Sequence, residues 1–212
     1  TGNITIGTCG DSTSKSEMVV KSGTVTTSQN LYVGEWDNAI VTIEGGNVTA
    51  NYNVVLGDNA AFASGETATL NLDGGTLTTW KIAKGSGTGT TVVNFNGGTL
   101  KALGEQNVLI DSTLSSVNIT GANGMIIDSD YAVSIPASVT KGDGDFTPTL
   151  TKKGTGTLWV QSLPAGTKVS VVSGSVTVPQ SCGAVAASGT LRTASGDNYV
   201  FTVGSTMDPG AT

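Results

Sequence analysis

The chain has no histidine, a single arginine (Arg192) and two cysteines, and only 12% of its 212 residues are charged. Each scarcity removes a class of function. Without histidine, the commonest general base and metal ligand is missing. Ten lysines and arginines face sixteen aspartates and glutamates, for a net charge of −6, and no basic cluster stands out. That balance suits neither a phosphate backbone nor an anionic membrane surface. Unbroken apolar runs are short, such as "AAFA" at 60–63 and "VLI" at 108–110. A spanning helix needs roughly 18 apolar residues or more, so direct membrane insertion is not expected. Low net charge with 37% apolar residues argues against disorder. The sequence starts at Thr1 with no signal-peptide pattern, which suggests a processed form. Abundant Ser, Thr, Asn and Gly with few Lys and Glu fits a secreted or surface protein.

What is abundant is glycine, 30 residues of it, and it is placed periodically. "VTIEGGNVTA" at 41–50, "LNLDGGTLTT" at 70–79 and "VNFNGGTLKA" at 93–102 share one shape. Each is a short alternating strand, a double-glycine corner and a second strand. Before the corner, Val41, Leu70, Val93 and Val117 form one inward column, and Ile43, Leu72, Phe95 and Ile119 form another. Thr42, Asn71, Asn94 and Asn118 alternate with them and point outward. After the corner, Val48, Leu77, Leu100 and Ile126 make a third column, with Val25 as an earlier member. The corner pairs are Gly45 and Gly46, Gly74 and Gly75, and Gly97 and Gly98, and one glycine of each pair is expected at positive φ. A further strand series runs through Val33, Leu56, Ile82, Leu109 and Val133.

Like residues recurring in register at a fixed period are the mark of a solenoid, not of an antiparallel sandwich. The pattern predicts an all-β chain: a right-handed parallel β-helix with about 23–29 residues and about three short strands per coil. No segment reads as a helix; the best one, "KALGEQNVLID" at 101–111, is broken by Gly104. The expected organisation is an N-terminal strand or edge segment over 1–20, the β-helix over 21–180, and a cap or assembly segment over 181–212.

Residues 142–160, "GDGDFTPTLTKKGTGTLWV", and 166–178, "GTKVSVVSGSVTV", resemble the autotransporter-associated β-strand repeat of bacterial autotransporter passenger β-helices. The "GGTL" copies at 74–77 and 97–100 are of the same style. The resemblance implies a scaffold at the bacterial cell surface or outside the cell. It says little about activity, since such scaffolds carry several functions.

Candidate chemistry is sparse. Asp111 with Asp128 or Asp130 is the best carboxylate cluster, and two carboxylates are what glycoside hydrolysis needs. With the only arginine near the end of the chain, these acids read as solvated loop residues. No catalytic residue, cofactor site or metal site is expected. Asp143 and Asp145 in "GDGDF" lack a third acidic ligand for calcium. Trp36, Trp80, Trp159 and Tyr32 offer aromatic faces for a sugar strip, although packing explains at least two of them. Asn3, Asn47 and Asn118 open Asn-x-Thr triplets, which Thr-rich strands generate by chance.

The leading expectation is therefore a non-enzymatic extracellular structural solenoid that forms or displays a surface fibre or layer. An adhesin with a carbohydrate or other host-surface ligand is the alternative, and a polysaccharide-active enzyme is third. Head-to-tail self-association would pair the open strand edges at both ends. Cys9 and Cys182 bear on it. At about 25 residues per coil they lie on the order of 30 Å apart along the axis, far beyond the roughly 4.4–6.8 Å between Cα atoms that a disulfide spans. An intermolecular bridge in a head-to-tail stack, a bridge within a folded-back chain, and two free thiols all remain open.

Overall fold

The computed structural model describes residues 2–8, 14–105 and 107–177, together with the backbone of two further strands at 190–192 and 199–202. Cys9 and Cys182 lie outside the described residues. The described chain is all strand, turn and bend, with no helix, wound as a parallel β-solenoid of about seven turns.

Three faces make up each full coil. Face one is β1 (Ile4–Ile6), β4 (Leu31–Val33), β7 (Val54–Leu56) and β10 (Ile82–Lys84). Face two runs β2 (Lys15–Val20), β5 (Asn38–Ile43), β8 (Thr67–Leu72), β11 (Thr90–Phe95), β13 (Ser116–Ile119), β15 (Val133–Lys141), β17 (Thr157–Ser162) and β19 (Ser175–Thr177). Face three runs β3 (Thr24–Thr27), β6 (Asn47–Ala50), β9 (Thr76–Thr79), β12 (Thr99–Ala102), β14 (Met125–Asp128), β16 (Thr149–Lys153) and β18 (Lys168–Val171). All of these ladders are parallel. The last strands break the rule: β20 (Thr190–Arg192) lies antiparallel on β19, and β21 (Tyr199–Thr202) lies antiparallel on β18.

The inward columns follow the alternation. Val41 pairs with Leu70, Leu70 with Val93 and Val93 with Val117, while Ile43, Leu72, Phe95 and Ile119 stack in one line. All eight are buried. Val25, Val48, Leu77 and Leu100 form the third column as expected, but its next member is Ile127, not Ile126. Ile126 pairs with Thr99 and is only half-buried. Phe95 and Leu100 are five residues apart, whereas their partners Ile119 and Ile127 are eight apart, and an odd difference turns the side chains counted across the corner to the opposite face.

The face-one series also shifts. Ile82 pairs with Val54 rather than Leu56, and bridges to Ile110 rather than Leu109. What keeps register here is the glycine after each strand: Gly34 N–H bonds to Ile6, Gly57 N–H to Val33 and Gly85 N–H to Leu56. Coil length is mostly in the expected range, with contacts 23 and 29 residues apart. The final coil is tighter: Ser175 meets Thr157 at a separation of 18. Pro136 sits where the β15–β17 register shifts, and its missing N–H explains why the ladder lapses there.

Both glycines of a corner are needed, for different reasons. Gly75 has φ +60, a left-handed conformation that penalises any Cβ. Gly74 lies so close to the coil before it that a Cβ would meet the Glu44 carbonyl oxygen at 2.2 Å. Gly46 repeats the left-handed role, whereas in the third corner the first glycine, Gly97, takes it.

Outward positions carry their own ladder. Asn71 donates to Thr42 Oγ1 at 3.2 Å, Asn94 to Asn71 Oδ1 at 2.9 Å and Asn118 to Asn94 Oδ1 at 2.9 Å. Thr140 Oγ1 donates to Asn118 Oδ1 at 2.6 Å and extends the line by one coil. Replacing Asn94 by Ala removes a donor and an acceptor at once. It should cost about 1–2 kcal/mol in urea unfolding, because half-buried partners above and below lose their bonds. A change within a few tenths would mean that water replaces the ladder freely. The same bonds occupy the Asn118 amide, one of the three Asn-x-Thr positions.

Candidate functional site

The carboxylates named from sequence are held in structural bonds. Asp111 follows the Ile110 bridge beyond face one, whereas Asp128 ends β14 on face three. Burial pushes the Asp111 carboxyl up. The N–H and side chain of Thr113 and the Lys81 ammonium outweigh it and leave the group below its ordinary value. Lys81 pairs with Asp111 at 3.3 Å. Asp128 pairs with Lys101 at 3.7 Å. Asp130 accepts from the Thr155 N–H at 2.9 Å and from its hydroxyl at 3.2 Å, and these bonds hold its carboxyl below the usual range. A general acid needs the opposite shift. Asp73 does move upward, through burial and then through Glu44 on the neighbouring coil. Those two acids form a like-charged pair at the double-glycine corner.

Asp143 and Asp145 are exposed. The Lys141 ammonium donates to the Gly144 carbonyl at 2.7 Å and lies 4.7 Å from the Phe146 ring centre, so a cation of the chain itself already sits on this loop. Among the described residues, no three of His, Cys, Asp or Glu gather as a metal site would require.

The aromatic residues do not form the single strip imagined from sequence. Tyr32 lies on face one, its hydroxyl accepting from Asn30 Nδ2 at 2.9 Å. Trp36 is at the next corner, 41% exposed. Trp159 lies on β17 beside Ser134, in a shallow cleft of about 190 Å³. Trp80 stands apart from all three, at the corner between faces three and one, and its partner there is Tyr52 on the previous coil. The Trp80 N–H donates to the Tyr52 carbonyl at 3.0 Å, which sets the two residues in register. Between them opens a cleft of about 520 Å³ lined by Asn51, Tyr52, Asn53 and Trp80. Tyr52 is 59% exposed, the most exposed large apolar side chain among the described residues. The indole rests over Gly104 of the following coil, where a Cβ would stand 2.6 Å from the ring.

Two buried groups escaped sequence reasoning. Lys152 takes an inward position of β16, between Ile127 and Val171, and is 0% exposed. Its ammonium donates to the carbonyls of Ser129 at 2.9 Å, Gly154 at 2.8 Å and Lys153. Phe62, from the turn after Gly57, is buried in a slot walled by Gly34, Gly57, Gly87 and Gly89. Comparison of the chain with protein-family models, with curated proteins and with solved structures gives no match.

Proposed function

We propose that the protein is an extracellular structural β-solenoid of the autotransporter-passenger type, a non-enzymatic scaffold that self-associates through its N-terminal coil. The observation that carries this reading is the asymmetry of the two ends. At the N-terminal end β1, β2 and β3 are the edge strands of all three faces. Ile4, Ile6, Met18 and Val25 continue the inward columns there, yet are only partly buried, and no coil of the described residues covers them. Unpaired parallel edges over an apolar end invite strand pairing. At the other end β20 and β21 already lie antiparallel on the last ladders of faces two and three. A head-to-tail stack would therefore set three edges against two short strands.

Two N-terminal ends set face to face match better. A two-fold axis across the end pairs β2, the longest edge, with itself and β1 with β3 of the other copy, all antiparallel. Such an isologous contact closes as a dimer. Light scattering on the purified chain should give twice the monomer mass. The double change Ile4→Lys with Met18→Lys should return it to monomer without loss of the cooperative unfolding transition. A chain that stays monomeric at about 100 μM, well above the Kd of a useful assembly contact, sinks the self-association reading. Filaments in electron microscopy would favour the head-to-tail geometry instead.

A further inference from the structure

We propose that the Tyr52–Trp80 corner is a binding site for an uncharged oligosaccharide, independent of the association surface at the N-terminal end. Four observations converge on it. First, the cleft offers two aromatic faces, one exposed and one propped over Gly104, in about 520 Å³. Aromatic faces stack on the apolar C–H side of a sugar ring, as they do on other apolar surfaces. Second, the side-chain amides of Asn51 and Asn53 flank the rings and make no hydrogen bond among the described residues. Each amide carries both donors and an acceptor, the combination that matches a hydroxyl.

Third, the main-chain N–H groups of the site are spent. Asn51 N–H bonds to Thr27, Tyr52 N–H to Gln29, Asn53 N–H to the Asn30 side chain, and Trp80 N–H to Tyr52. A peptide adding as a strand would find no donor there, so recognition must come from ring faces and amides. Fourth, no charged side chain lines the cleft, and the nearby Lys81 is engaged by Asp111. A neutral ligand fits this better than an acidic one.

The corner extends beyond the cleft. Tyr131, 41% exposed, occupies the equivalent corner three coils after Tyr52. That span is on the order of 14 Å along the axis at strand spacing. The second cleft, with Asn107 and Trp159, opens just past it. A chain of several sugar units following the solenoid axis would meet Tyr52, Trp80 and Tyr131 in turn.

The probes are two neutral hexasaccharides, one of glucose and one of N-acetylglucosamine, titrated calorimetrically and by tryptophan fluorescence. At least one should bind saturably. Tyr52→Ala should weaken it by about tenfold or more, the loss of one well-placed aromatic contact, and Tyr52→Phe should retain it. Trp80→Ala should behave like Tyr52→Ala. Because Trp80 also packs, the exposed Tyr52 is the deciding position. Absence of saturable binding by the unmodified chain at about 10 mM of both sugars, weaker than any useful site, overturns the proposal. So does binding that Tyr52→Ala leaves intact, or saturable binding of a proline-rich peptide with none of either sugar.

Discussion

Truncating either buried phenylalanine to alanine should cost roughly 3–5 kcal/mol, and Phe62→Ala should lie at or above Phe95→Ala. Both rings are fully buried. The difference lies in what can collapse into the hole. Phe95 is stacked between Leu72 and Ile119, whose side chains can lean into the vacated space. Phe62 is held against Gly34, Gly57, Gly87 and Gly89, where a Cβ would come within 2.9, 2.6, 2.8 and 2.4 Å of it. Glycine walls have no side chain to move inward, so the cavity stays open, and the cost of such a truncation rises with the cavity that remains. Backbone bonds pin the turn as well, so its main chain does not slide into the hole: the Thr88 N–H donates to the Phe62 carbonyl at 2.9 Å. Urea unfolding of the two variants checks this. A loss under about 1.5 kcal/mol for Phe62→Ala would place the ring outside the load-carrying core.

The two phenylalanines also show how far the sequence could be read. Phe95 lies in an alternating strand ahead of a double glycine, and the period names its neighbours. Phe62 lies in "NAAFASGE", an insertion inside one coil, where no repeat gives a register. Its slot is written in glycines scattered from 34 to 89, which look like unrelated turn signals until the coils are stacked. The same logic explains the slips. Ile126 was placed by counting across a corner of altered length. In the face-one series Ile82 pairs with Val54, and it is Gly85 after the strand that repeats the place of Gly34 and Gly57. Trp80 was legible as an aromatic surface residue, but Tyr52 was hidden in "NYN", a triplet that reads as a plain turn. Only the coil-to-coil bond from Trp80 to Tyr52 brings the cleft together.

Lys152 is the furthest from a binary pattern, since a lysine at an inward position argues against the strand it belongs to. Its aliphatic stem fills the column between Ile127 and Val171, while the ammonium reaches the corner carbonyls. Burial disfavours the charged form and, despite Asp128 and Asp130 nearby, lowers its pKa from 10.5 to about 8. In the unfolded chain the amine keeps its proton up to about 10.5. Between pH 8 and 10.5 the unfolded state thus binds more protons than the folded state, and stability rises with pH. Below pH 8 both states are protonated, and the folded state bears the full cost of the buried charge, on the order of 3 kcal/mol. Lys152→Met keeps the stem and removes the charge. The Ser129 and Lys153 carbonyls keep backbone donors, from Gly156 and Ser129. The Gly154 carbonyl alone gives up its charged partner, at about 1 kcal/mol. The variant should therefore be at least as stable as the parent at pH 7, and it should lack the rise between pH 8 and 10.5, which then appears in full in the difference between the two. Chemical denaturation at pH 7, 9 and 10.5 reads both effects. A variant that loses several kcal/mol at pH 7 and keeps the parent's slope would show that the three carbonyl bonds outweigh the desolvation of the ammonium.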